Sequence, residues 1–135
     1  MGRSGTTLLE KLLCNHKDLS VLSQPLPLVF IDLKKRFLET LGIKKYFVLN
    51  DSLNNEDYSQ ESFNLFLENF KYTQKDLNNV FDQMKNYSGQ MTRFETPVFE
   101  KYPINLIDLF FEIHELYAHK KANYFGSKEI LCEEY

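Results

Sequence analysis

Apolar residues return every three or four positions through most of this chain, and that period restricts it to packed amphipathic helices with little room for sheet. Leu8, Leu9, Leu12 and Leu13 make a first stripe. Phe30, Leu33, Phe37 and Leu41 make a second, and Gly42 is placed to stop it as the residue after the C-cap. Phe63, Phe66, Leu67 and Phe70 mark a third helix. Thr73 and Asp76 read as a capping box, with Asp for the usual Glu, ahead of Leu77, Val80, Phe81 and Met84. Asn105 is suited to cap a last long helix with Leu106, Leu109, Phe110, Ile113, Leu116 and Tyr117 inward, and Tyr124-Phe125-Gly126 to break it. Val21-Leu22 is the stretch that reads as a short strand, and residues 50–57 and 86–104 read as irregular.

Several burial expectations follow from these stripes. The four leucines of the first helix should face the core, with Glu10 and Lys11 exposed and Cys14 inside. Lys34, Lys35 and Arg36 should be the solvated face of the second helix. At 135 residues the chain suits one domain, spanning 1–135. Its net charge of −3 argues against nucleic acid as a partner, so an anionic ligand must be held by local geometry. Cys14 and Cys132 are too few and too far apart for a disulfide framework and read as reduced thiols. No metal is expected. No apolar run approaches the roughly 20 residues of a membrane span, and no charged stretch precedes an apolar core as in a signal peptide. A cytoplasmic location is the expectation.

Gly2-Arg3-Ser4-Gly5-Thr6-Thr7 runs straight into the first helix, an arrangement that suits an anion. Glycines let the backbone approach a phosphate, and the N–H groups of a helix's first turn have no intrahelical partner. The helix dipole adds about half a positive charge at that end. Thr6 and Thr7 offer hydroxyls and Arg3 a forked cation. A Walker A loop is excluded, because it needs four residues between its glycines and a Lys before the Ser/Thr. Here two residues separate Gly2 from Gly5, and Thr6 stands where the Lys belongs.

Arg3 to Leu9, with a short helix ending near Asn15-His16, resembles the 5′-phosphosulfate-binding loop of sulfotransferases. The branch it most resembles contains the tyrosylprotein and many bacterial enzymes. Leu22-Ser23-Gln24-Pro25-Leu26-Pro27 is similar to the segment that follows the loop there, and Tyr124-Phe125-Gly126-Ser127-Lys128-Glu129 to the family's aromatic-Gly-x-Lys segment. The resemblance covers roughly residues 2–30 and 122–135. It implies an α/β fold of the P-loop type, with this stretch mostly helical and lacking the first strand. The implied reaction moves a sulfuryl group from 3′-phosphoadenosine 5′-phosphosulfate (PAPS) to a hydroxyl or amine of a small molecule, peptide or saccharide. The same resemblance implies that Arg3, Ser4, Gly5, Thr6 and Thr7 hold the donor and that Lys128 lies near its sulfate.

The family's base, a Glu shortly after the loop helix, falls on Gln24, whose amide cannot take a proton. His16 is the nearest alternative and reads equally as a partner of the helix C-terminus. The family's loop follows a buried strand, and a later Arg-Asp-Pro-Arg-like turn with a Ser grips the 3′-phosphate. Met1 stands where that strand ends, and Arg36 and Arg93 lack the context of that turn. The chain is therefore expected to be a fragment, inactive by itself. The alternative is a helical interaction module without catalysis, its N-terminal motif a relic.

Overall fold

The computed structural model describes residues 6–43, 58–85 and 97–128. They form a mixed α/β unit, mostly helical, with a two-stranded parallel sheet. The order is α1 (Thr6–Cys14), β1 (Leu19–Ser23), α2 (Pro27–Thr40), α3 (Gln60–Asn69), α4 (Gln74–Lys85), α5 (Leu106–Tyr117) and β2 (Tyr124–Lys128). No described helix is long and apolar enough to cross a membrane.

The second helix is the centre of the core. Pro27 opens α2, where its missing N–H and fixed φ cost nothing. Pro27, Leu28, Val29 and Phe30, its whole first turn, are buried. Leu33 continues the inward face against Leu77, Val80 and Phe81 of α4 and Leu109 and Ile113 of α5. Phe37 and Leu38 form a second cluster with Phe63 of α3. The helix stops as the sequence predicts. Gly42, at φ 73°, donates to the Glu39 carbonyl at 3.0 Å, and Ile43 donates to the Leu38 carbonyl at 2.9 Å. That pair of bonds is a Schellman motif, and Ile43 packs on the cluster it closes.

The starts of α4 and α5 also match their signals. The Asn105 side chain accepts from the Asp108 N–H at 2.8 Å to cap α5, and the Thr73 hydroxyl accepts from the Asp76 N–H at 3.2 Å to cap α4. The Thr73 hydroxyl in turn donates to the Asp76 carboxylate, so the box closes on a side chain.

Several burial expectations are corrected, Leu116 among them, which is 52% exposed rather than inward. Leu8, Leu9, Leu12 and Leu13 are 64, 57, 60 and 37% exposed, because α1 turns Glu10 toward β1 and its leucines outward. Cys14 is exposed as well. Lys34 is buried, and of the basic triplet Lys35 alone is exposed. Arg36 is half-buried because it bridges two helices: Nε meets Asp32 Oδ2 at 2.6 Å and a terminal nitrogen meets Asp76 Oδ1 at 3.2 Å. Its guanidinium lies over the Phe70 and Tyr72 rings, 5.5 and 5.6 Å from their centroids. The buried Tyr72 hydroxyl donates to the same Asp32 oxygen at 2.8 Å. Finally, Tyr124-Phe125-Gly126 does not break α5, which has already ended at Tyr117; these residues open a strand.

Two outcomes test this packing. Leu12→Gln should change stability by less than about 0.5 kcal/mol, as exposed positions do, whereas Leu33→Ala should cost about 2–5 kcal/mol. Urea denaturation of both variants checks the contrast. The Asp76 carboxyl is held below its usual value of 3.8 by the Thr73 hydroxyl first, with Arg36 adding to it against the opposing effect of burial. A depressed carboxyl contributes stability that is full above its unfolded value and is lost as pH falls through the folded one. Stability should therefore drop as pH falls below about 3.8, and Asp76→Asn should show a smaller drop between pH 7 and pH 3.

Candidate functional site

The strands pair Leu19 with Tyr124 through Ser23 with Lys128, so Ser23 and Lys128 end side by side at the carboxyl edge. The amino edge is tied by Asp18, whose carbonyl accepts from the N–H groups of Asn123 and Tyr124, both at 2.9 Å. Asp18 Oδ1 also accepts from the Asn123 amide at 3.1 Å. The N–H of His119 donates to Ser20 Oγ at 2.9 Å. Phe125 then leans on α5, stacked on His114 at 5.1 Å and edge-on to Phe111 at 6.0 Å.

Helix α1 runs antiparallel to β1. Glu10 meets Ser23, and one turn later Cys14 Sγ reaches the Val21 carbonyl at 3.5 Å. The N-terminus of α1, where the glycine-rich segment leads, is thereby directed toward the carboxyl edge. In open α/β sheets, ligands bind outside the carboxyl ends of the strands. Glu10 Oε2 accepts from Ser23 Oγ at 3.1 Å and pairs with Lys128 Nζ at 3.1 Å. The two charged side chains are 17 and 18% exposed, far less than an ordinary surface pair. Just past Ser23, Gln24 adopts φ 51° and its N–H donates to the Lys128 carbonyl at 2.8 Å, extending the edge by one residue.

The predicted residues separate cleanly. Lys128 and Gln24 come together at the carboxyl edge with Glu10, which the sequence reading had placed in solvent. Glu10 lies one turn after Thr6, on the same helical face. The Gln24 amide has no lone pair basic enough to take a hydroxyl proton. His16 is at the other end. It is largely exposed beyond the C-terminus of α1, its Nδ1 accepts from the Asp18 N–H at 3.3 Å, and it lines a cavity of about 230 Å³ with Cys14, Ser20 and His119. The length of β1, about 3.3 Å per residue, separates it from Lys128. Arg3, Ser4 and Gly5 lie outside the described residues, as do the side chains of Thr6 and Thr7, the first two residues of α1. Among the described residues, no cluster of His, Cys, Asp and Glu fits a metal ion.

No protein-family model, no curated protein and no solved structure matches this chain.

A double-mutant cycle measures the pair at the edge. Glu10→Ala and Lys128→Met should couple by about 1–2 kcal/mol, between the values for exposed ion pairs and for well-made charged hydrogen bonds. Additive losses in urea denaturation would show that the two side chains do not interact.

Proposed function

We propose that this chain grips the 5′ end of PAPS and serves transfer of its sulfuryl group to a hydroxyl or amine, within a P-loop-like sulfotransferase fold. The observation that carries the reading is the position of Lys128. The family resemblance assigns this lysine to the donor sulfate, and it stands at the carboxyl edge of a parallel pair, against the helix that the glycine-rich segment enters. Two segments near opposite ends of the sequence, each resembling the same family, meet at one edge. A β1–β2 crossover through helices is also the connection that a parallel sheet requires.

PAPS supplies an activated sulfuryl group and a phosphate leaving group. The chain's part is positional and electrostatic, as in phosphoryl transfer. Backbone N–H groups at the start of α1, with Arg3, Ser4, Gly5, Thr6 and Thr7, receive the charge that develops on the departing phosphate. Lys128 donates to the bridging or leaving oxygen. Arg36 is assigned no part in reading the 3′-phosphate, because Asp32 and Asp76 already neutralise it. The acceptor is a small molecule, peptide or saccharide.

The exposed leucines of α1 favour a second reading, a helical module that binds another apolar surface without catalysis. Calorimetry separates the two. PAPS should bind the wild-type chain, and Lys128→Met should weaken it at least ten-fold. Equal affinity in the two proteins would remove Lys128 from the site, and no binding to either would leave the helical module as the reading.

A further inference from the structure

We infer that the cavity at the amino edge of the sheet is a second anion site, which takes a small oxyanion of the phosphate or sulfate type. It lies at the opposite end of the strands from Lys128 and does not depend on the sulfotransferase reading. Its volume is about 230 Å³, and its wall includes Cys14, Asn15, His16, Lys17, Ser20 and His119. These residues come from the end of α1 and the turn after it, from β1, and from the segment between α5 and β2. The ladder brings them together, because Asp18 ties that edge to Asn123 and Tyr124.

The wall is rich in unspent donors. His16 Nδ1 accepts from the Asp18 N–H at 3.3 Å, and His119 Nδ1 accepts from the Lys121 N–H at 3.1 Å. Those two bonds assign each ring proton to Nε2, so both imidazoles keep an N–H to give. Ser20 is buried and its oxygen accepts from the His119 N–H at 2.9 Å. The hydroxyl proton of Ser20 has no acceptor among the described residues, and Lys17 makes no ion pair among them. The acceptors nearby are already engaged. The carbonyls of Leu12, Leu13 and His16 take the N–H groups of Asn15, His16 and Leu19, which blunts the negative end of α1. The Cys14 thiol donates to the Val21 carbonyl at 3.5 Å. No carboxylate lines the cavity. The Asp18 carboxylate stands 3.9 Å from His16 on the Nδ1 side of the ring, and its Oδ1 accepts from the Asn123 amide. Neutral and charged donors without acceptors call for a ligand that only accepts, and a tetrahedral oxyanion does so in several directions at once. Bound there, it would link the end of α1, β1 and the segment after α5, and so stabilise the folded chain by mass action.

The test titrates inorganic phosphate into the wild-type chain, Lys17→Met and His16→Ala at constant pH and ionic strength. Binding is read from the Cε1–H resonances of His16 and His119, with the buried His114 as an internal control. The signals of His16 and His119 should move together and saturate, and that of His114 should stay in place. Lys17 and His16 are exposed, so both substitutions leave the core intact, and thermal melts without phosphate confirm folding. One folded variant suffices. Each should weaken phosphate about ten-fold at the His119 signal, and the rise in Tm that phosphate brings should shrink with it. Shifts that chloride reproduces, or that never saturate, reflect salt alone and overturn the inference. Unchanged affinity in the folded variants also overturns it, by placing the phosphate elsewhere on the chain. Acetate binding as tightly as phosphate would do the same, because the ligand would then be a carboxylate.

Discussion

The parallel ladder between residues 19–23 and 124–128 is the contact on which the arrangement depends, because it joins segments that almost the whole described chain separates. Parallel strands cannot be joined by a tight turn, so the chain has to travel out and back, and it does so through helices. Closing so long a loop has an entropic cost, although that cost grows only slowly with length. The helices offset it by burying Leu33, Leu77, Leu109 and Ile113 together. Remove the ladder and Lys128 has no fixed relation to Glu10 or Ser23.

A second constraint lies away from that edge. Arg36, Asp32, Asp76 and Tyr72 tie α2, α4 and the segment before α4 into one polar knot within an aromatic surround. Each carboxylate has a donor and the guanidinium is bridged between two acids. The charges therefore sit in the interior margin without leaving any of them alone, which is the condition for tolerating them there. By contrast, His114 is buried with Nδ1–H donated to the Phe110 carbonyl at 2.6 Å and with Nε2 lacking a partner among the described residues. The ring's contact with Phe110 and Phe125 offsets that loss by packing.

Local signals were legible wherever a local bond fixes the structure. Gly42, Asn105 and Thr73 each end or begin a helix through a bond to a residue within four or five positions, and each was placed from sequence. Val21-Leu22 proved to lie within β1. The partner strand was not legible, because Tyr124–Lys128 becomes a strand only by pairing with residues far back in the chain. A Gly between aromatic and polar residues signals a break when read alone. The leucine stripe of α1 shows the general limit: spacing reveals that a helix has an apolar face but not which neighbour the fold offers it. Here Ser23 and Lys128 hold Glu10, and the stripe faces out. Lys128 and Gln24, both singled out from sequence, meet at the carboxyl edge, while Glu10 was missed for the same reason. The available hint was its place one turn after Thr6 in the sequence.

The distance along the chain between the two strands gives the site a history. Synthesis proceeds at about 5–20 residues per second, so β1 and α1 emerge seconds before β2 has been made. Through that interval β1 has neither its partner nor its amino-edge ties to Asn123 and Tyr124. Glu10 and Ser23 are present from the start, but the cation that pairs with the Glu10 carboxylate arrives with Lys128. Until then the Glu10 carboxylate stands at the edge without Lys128. Four outward leucines lie beside it, and they form the kind of surface that holding chaperones retain. The last strand to be made therefore completes the sheet and brings the counter-charge of Glu10 to its edge.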